Sequence, residues 1–158
     1  MHKPNYDFKT DFKIARVTEK QIARFLAEKH GLAFVDECNN SDYDIRMRFP
    51  KGREVTIEIK EDFSCARTGN IGVEYESWGR ASGIAVSKAE YYLYKIHRPD
   101  GIIGVYIIKT ELLKGMIEDK LYHRTVVGGD VGSNSKNYLF KLQVVIENFK
   151  FLGIMDAS

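Results

Sequence analysis

Residues 42–60 read DYDIRMRFPKGREVTIEIK, two alternating segments joined by Pro50-Lys51-Gly52. Apolar residues occupy every second position in both segments, which is typical of strands that bury one face. A three-residue turn with Gly52 in the left-handed conformation joins such strands as a hairpin. We therefore predict two antiparallel strands over residues 42–49 and 53–60.

The length of this turn decides which side chains face each other. With three residues in the turn, Ile45 lies opposite Ile57 and Met47 lies opposite Val55, so one face is apolar throughout. A two-residue turn would instead set apolar side chains opposite charged ones. The pattern therefore favours the three-residue turn.

The polar face of the same hairpin brings two acids together. Asp44 lies opposite Glu58, and Asp42 lies opposite Lys60. Like charges at directly opposed positions destabilise an antiparallel pair, and a divalent cation offsets the repulsion. Mg²⁺ is commonly held by one or two carboxylates together with water and substrate phosphate. The pattern indicates a metal site beside Lys60, whose ammonium can orient water or stabilise charge on phosphate.

Two alternatives stay open from the residues alone. The polar face is also compatible with a solvated strand face carrying cross-strand ion pairs, Asp42–Lys60 among them. Asp42 also competes with Asp44 as the metal ligand, although Asp44 is the acid directly opposed to Glu58. That opposition favours the metal site, because a purely structural strand face gains nothing from it.

Asp44 followed by Glu58-Ile59-Lys60 across a hairpin, with a helix upstream, resembles the PD-(D/E)XK nuclease superfamily over residues 18–110. The resemblance implies an α/β fold with a restriction-endonuclease-like core, in which helices flank a mixed sheet. It implies hydrolysis of DNA phosphodiester bonds with Mg²⁺, for which Mn²⁺ substitutes. By the same resemblance Asp44, Glu58 and Ile59 hold the metal, Lys60 is catalytic, and Glu19 matches a catalytic acid that many members carry on their first helix.

Two further features bear on this resemblance. The segment TGNIGVEYESWGRASGI (68–84) followed by SKAEYYLY is similar to phage- and prophage-borne members, whereas Tyr43 stands where the motif has proline. The letters also occur at Pro99-Asp100 and Glu118-Asp119-Lys120. That second match is predicted to lie in a turn and a helix, which do not project acids from adjacent strands.

The remaining elements are predicted from periodicity and capping signals. They are a helix over 18–31 capped by Thr18 and Gln21, a strand at 32–37, a long loop at 61–86 with a brief strand at 73–77, a capped helix over 87–98, a strand at 101–109, a helix from Thr110 to 120, a loop at 128–137 and a strand over 138–149. This order predicts an α/β class, a mixed sheet flanked by helices.

The long loop offers small, polar and cationic side chains suited to contact with DNA phosphates. Its candidate nucleic-acid-binding residues are Arg67, Asn70, Arg80 and Lys88. Glu74 and Glu76 are further acids that either join the metal's surroundings or face water.

The predicted helix at 87–98 has an apolar stripe that includes Tyr92, which we assign to the core. The side chains predicted to be exposed on this helix are those of Tyr91, Tyr94, Lys95 and Arg98.

Composition sets the outer limits. A chain of 158 residues with 44% hydrophobic and 29% charged residues fits one soluble domain, with residues 1–16 as an N-terminal extension. The net charge is +2, so any basic footprint must be local. Cys38 and Cys65 lack metal-ligand spacing, which predicts neither a zinc site nor a disulfide and favours a reducing cytoplasm, that of the host if the chain is phage-encoded. No apolar run is long enough to cross a membrane.

Two classes of function follow. The first is a Mg²⁺-dependent endonuclease acting on DNA, with duplex, single-stranded and branched substrates all open. Such an enzyme is a homodimer if it cuts both strands of a duplex. The second is a non-catalytic nucleic-acid-binding or assembly module on the same fold.

Overall fold

The computed structural model describes residues 3–38, 40–128 and 134–156, and the side chains in those ranges from residue 17 onward. The larger sheet contains, in spatial order, β1 (Ala33–Glu37), β2 (Ile45–Arg48), β3 (Glu54–Asp62), β6 (Tyr91–His97), β7 (Ile103–Lys109) and β10 (Lys150–Met155). Its neighbouring strands are antiparallel except for β3 and β6, which are parallel. The expected mixed sheet is therefore confirmed.

The hairpin of β2 and β3 has the predicted register. Ile45 pairs with Ile57 and Met47 pairs with Val55, and all four side chains are buried. Gly52 has φ +98°, a conformation that side-chain-bearing residues rarely adopt. The three-residue turn is therefore confirmed, and the apolar face of the hairpin points into the core.

One face of the larger sheet is covered by helix α1 (Lys3–His30). Ile22, Phe25 and Leu26 pack against β2, β3, β6 and β7 in one apolar cluster, as their spacing predicts. The helix ends before Gly31, which has φ +71°. The predicted start was wrong, because Thr18 lies inside α1 and residues 3–16 belong to the same helix.

The opposite face packs on a smaller sheet and on three helices. The smaller sheet contains, in spatial order, β5 (Arg80–Ala81), β4 (Asn70–Ser77), β9 (Ser135–Lys141) and β8 (Arg124–Val127). The helices are α2 (Cys65–Thr68), α3 (Thr110–Glu118) and α4 (Leu142–Asn148). The second apolar cluster includes Ile71 and Val73 from β4, Tyr94 from β6, Leu113 from α3 and Phe140 from β9. The central sheet thus lies between α1 and this second layer.

The helix predicted over 87–98 was wrong, because the segment forms β6. Five successive residues of this strand are buried, and a strand buried on both faces loses the alternation that distinguishes it from a helix. Tyr94 and Lys95, predicted to be exposed, are only 2% and 6% accessible. Tyr91 and Arg98 are half-buried.

Two other long segments are also more ordered than predicted. The supposed loop at 61–86 contains the end of β3, α2, β4, β5 and a short 3₁₀ turn (Gly83–Ala85). The supposed strand at 138–149 is the end of β9 followed by α4, with β10 beyond it. The loop predicted at 128–137 lies partly outside the described residues, and the prediction for its last three residues was wrong, because β9 begins at Ser135. The strands at 32–37, 73–77 and 101–109 and the helix after Thr110 are confirmed.

In the part of the chain that the structure describes, no helix combines the length and apolar character needed to span a membrane.

Candidate active site

Asp44 and Glu58 lie together just outside the paired ladder of β2 and β3, which ends at Ile45 and Ile57. The N–H of Asp44 donates to the carbonyl oxygen of Ile57 (3.0 Å), and the Asp44 Oδ2 atom accepts a hydrogen bond from the N–H of Ile59 (2.7 Å). The two carboxyl groups are themselves joined by a hydrogen bond. The two carboxyl groups are therefore neighbours in the fold, although the paired register itself ends one residue earlier, at Ile45 and Ile57.

Burial makes this acid pair electrostatically unfavourable. Only 15% of the Glu58 side chain is exposed. Burial, and then the charge of Asp44, raise the pKa of Glu58 from 4.5 to about 7, against the opposing effect of Lys60. Burial also raises the pKa of Asp44, although the hydrogen bond from Ile59 acts in the other direction. Near neutral pH the pair therefore tends to keep a proton in place of two full negative charges.

Lys60 completes the expected group of two acids and a lysine. Its Nζ atom is 3.5 Å from the Glu58 Oε2 atom, and 38% of its side chain is exposed. The predicted pairing of Asp42 with Lys60 was wrong. The Asp42 Oδ1 atom instead lies 3.6 Å from the Lys88 Nζ atom, and the Asp42 carbonyl oxygen accepts the N–H of Lys88 (2.9 Å).

Tyr92 is a member of the site that the sequence did not reveal. It lies beside Glu58 in the parallel ladder of β3 and β6 and is 1% exposed. After burial, the charges of Glu58, Asp44 and Glu74 raise the pKa of Tyr92, so its hydroxyl lies within the electrostatic influence of all three acids. Recognition of YYLYKI as a buried strand next to TIEIK would have placed this hydroxyl there.

Glu74 lies on β4, which crosses above this face. Its Oε2 atom accepts a hydrogen bond from the Ser82 hydroxyl (2.9 Å). Gly83 has φ +51°, and a Cβ there would lie 2.2 Å from the Glu74 carbonyl oxygen, so the 3₁₀ turn packs directly on β4. Glu76 has a different role, since its Oε2 atom pairs with the Lys136 Nζ atom at 2.8 Å.

The first-helix acid does not complete a three-acid site. Glu19 is half-buried on α1, the helix that covers the sheet face opposite Glu58. Among residues 17–38, 40–128 and 134–156, no three His, Cys, Asp or Glu side chains lie close enough to hold one metal ion. Asp44 and Glu58 therefore form a two-carboxylate site without Glu19 or Glu74.

The predicted DNA-contacting residues do not form one patch. Arg67 lies in α2, just before β4, and Asn70 begins β4, whereas Arg80 lies beyond its far end. Eight strand residues extend roughly 25 Å. Lys88 contacts Asp42, two residues before Asp44 in the chain. Arg67, Arg80 and Lys88 are exposed, and Asn70 is half-buried.

A second charged cluster lies at the end of β3 on the face that α1 covers. Glu61 accepts hydrogen bonds from the Thr18 hydroxyl (2.7 Å) and from His97 Nε2 (2.7 Å), and its Oε2 atom is 3.2 Å from the Lys95 Nζ atom. The Phe63 ring stacks on His97 with 4.4 Å between ring centroids. Burial alone would raise the pKa of Glu61, but these hydrogen bonds lower it below its ordinary value.

Comparison of the chain with protein-family models and with curated proteins found no match.

Proposed function

We propose that this chain is a Mg²⁺-dependent endonuclease that hydrolyses DNA phosphodiester bonds, with Mn²⁺ as a substitute metal. The observation that carries the proposal is the buried, hydrogen-bonded pair of Asp44 and Glu58 with Lys60 beside it. Two carboxylates held this close repel each other, and without a bound ligand Lys60 offsets that repulsion only in part. A divalent cation between them removes that cost.

The donor set suits a hard cation. Asp44 and Glu58 supply carboxylate oxygens, the ligand type that Mg²⁺ and Mn²⁺ prefer, and the resemblance adds the backbone of Ile59. Such a metal, when bound, polarises a phosphate oxygen and makes a bound water more acidic. The raised pKa of Glu58 also predicts that metal binding releases a proton near neutral pH.

Lys60 is the proposed catalytic cation. It lies on the same strand face as Glu58, two residues further along β3, and remains partly exposed. An ammonium in that position can orient the attacking water or stabilise the negative charge that develops on the phosphate. Lys88, exposed and close to Asp42, is the candidate contact for a neighbouring phosphate.

The proposal also includes the fold family, the oligomeric state and the location of the protein. The hairpin, the parallel pairing of β3 with β6 and the covering helix α1 support a restriction-endonuclease-like core. A homodimer is proposed for cutting both strands of a duplex, since each chain offers one acid pair. Two free cysteines, Cys38 and Cys65, favour a reducing cytoplasm as the location.

The proposal is tested by plasmid nicking. Purified protein is incubated with supercoiled plasmid, single-stranded DNA and a four-way junction in Mg²⁺, Mn²⁺ or EDTA. We expect metal-dependent cleavage of at least one substrate, reduced about 100-fold or more by Glu58→Gln and by Lys60→Met. Glu76→Gln, which alters a carboxylate paired with Lys136 away from the site, is the matched control and keeps full activity.

Cleavage that survives both Glu58→Gln and Lys60→Met would refute the assignment of the site. DNA binding without cleavage of any substrate, in either metal, would favour the non-catalytic binding module.

A further inference from the structure

We propose that Tyr92 is a positioning residue of the metal site, whose hydroxyl donates a hydrogen bond to the Glu58 carboxylate when Asp44 and Glu58 hold a divalent cation. This inference rests on the proposed function, because it assumes that the acid pair binds a metal. It assigns a task to a buried polar group that the fold leaves unused.

The Tyr92 hydroxyl is an unsatisfied donor. The side chain is 1% exposed, and within the described residues its hydroxyl has no hydrogen-bond partner of ordinary geometry. Buried polar groups in native proteins are almost always paired, and an exception calls for an explanation such as an absent ion or a catalytic role. Loss of hydration without a replacement partner is unfavourable, so a benefit elsewhere is expected.

The surroundings of this hydroxyl are acceptors. Tyr92 and Glu58 are ladder partners on adjacent strands, and the charges of Glu58, Asp44 and Glu74 all act on the phenol. The Ser87 hydroxyl is a hydrogen-bonding neighbour that lowers the pKa of the phenol, but it does not form a bond of ordinary geometry with it and already accepts the Ala89 N–H at 3.2 Å. Burial and the neighbouring acids keep the phenol protonated, so it is available as a donor.

The Glu58 carboxylate needs an outer donor when it is a ligand. Its present partners are Asp44, through the hydrogen bond between the two carboxyl groups, and Lys60 at 3.5 Å. Metal-binding side chains are commonly held in orientation by outer hydrogen bonds, whose removal typically weakens metal affinity about 10- to 100-fold. The main chain of β3 gives such a bond to Asp44 through Ile59 N–H, and Tyr92 is placed to give the equivalent bond to Glu58.

The decisive variant is Tyr92→Phe, with Tyr94→Phe as its matched control. Tyr94 lies two residues further along β6 in the same apolar cluster, is 2% exposed, and its hydroxyl donates to the Gly72 carbonyl oxygen at 3.1 Å. Both variants remove one buried hydroxyl from the same strand. Of these two hydroxyls, that of Tyr94 has a hydrogen-bond partner in the metal-free protein, and that of Tyr92 has none of ordinary geometry among the residues that the structure describes.

Mn²⁺ binding to the full chain is measured by isothermal titration calorimetry, and thermal unfolding is measured without metal. We expect Tyr92→Phe to bind Mn²⁺ about 10- to 100-fold more weakly, with a melting temperature equal to or above that of the wild type. We expect Tyr94→Phe to keep the wild-type affinity and to melt at a lower temperature, because it leaves the Gly72 carbonyl without its donor.

The outcomes separate the two proposals. Equal Mn²⁺ affinity in the wild type and Tyr92→Phe overturns the role of Tyr92 and leaves the metal site intact. Equal weakening by both variants also overturns it, since the effect would then come from packing. A wild-type protein that binds no Mn²⁺ at any pH between 6 and 9 overturns the metal site and this inference together.

Discussion

Glu58 and Glu61 lie three residues apart on β3 and are almost equally buried, with 15% and 13% of their side chains exposed. Their pKa values nevertheless shift in opposite directions. The pKa of Glu58 rises to about 7, whereas that of Glu61 falls below its ordinary value. Burial raises both, so the neighbours decide the difference.

The neighbours differ in what they offer. Glu61 receives hydrogen bonds from Thr18 and His97 and an ion pair from Lys95, so its charge is compensated within the protein. Glu58 faces a second carboxyl, Asp44, and has Lys60 only at 3.5 Å. A carboxylate that is fully partnered stabilises the fold, whereas one that is left short of donors is available to a ligand.

The largest expected loss of stability comes from removing the charge of Glu61, the carboxylate that is compensated within the protein. Glu61→Gln leaves the ammonium of Lys95, which is 7% exposed, without its counter-charge. Removal of one partner from a buried pair typically costs about 3 to 5 kcal/mol. Urea unfolding at pH 7 measures the change, and a loss below 1 kcal/mol would show that the cluster contributes little to stability.

The opposite sign is expected for Glu58→Gln. Because the folded-state pKa of Glu58 lies above its ordinary value of 4.5, its contribution to stability is full below pH 4.5 and is lost as the pH rises through about 7. At pH 8 the variant should therefore exceed the wild type in unfolding free energy by an amount on the order of 3 kcal/mol or less. A glutamine amide also gives Asp44 a donor.

Urea unfolding of the wild type and Glu58→Gln from pH 4.5 to pH 8 tests this sign. The two curves should approach each other at the acid end and separate above neutrality. A variant that is less stable than the wild type at pH 8 would identify Glu58 as a structural carboxylate, and the contrast with Glu61 would disappear.

The smallest effect is expected where a carboxylate is partnered at the surface. Glu76 pairs with Lys136 at 2.8 Å, and 29% and 41% of their side chains are exposed. Glu76→Gln should change the unfolding free energy by less than about 1 kcal/mol, since water screens such pairs. A larger loss in the same urea assay would mean that charge removal is costly anywhere in this protein, which would weaken the interpretation of Glu61→Gln.

The sequence predicted the parts of the site that depend on local pattern. The turn at Gly52 and the alternation on both sides of it determine the opposition of Asp44 and Glu58, and no distant residue is needed to infer it. Asp42 was misplaced because the paired ladder begins only at Ile45, and its partner Lys88 lies forty-six positions away.

The parts that depend on distant pairing were not predictable in the same way. β6 is buried on both faces, so its sequence carries no alternation. The helix-like spacing of its apolar residues therefore led to the wrong prediction of a helix. β4 pairs with β9, whose residues are distant in the chain. Tyr92 reaches the acid pair through the pairing of β6 with β3. The compensated cluster was missed because Lys95 and His97 were assigned to a helix.

The parallel pairing of β3 with β6 has a consequence for how the site assembles. Parallel neighbours cannot be joined by a tight turn, and here the long crossover between them contains β4 and the 3₁₀ turn, which pack on the sheet face that carries Tyr92. The hairpin with both acids can form within microseconds from local contacts alone, whereas the crossover closes more slowly. We therefore expect the electrostatic penalty of the acid pair to arise late in folding, when the crossover excludes water from Glu58 and the rest of the core has already formed.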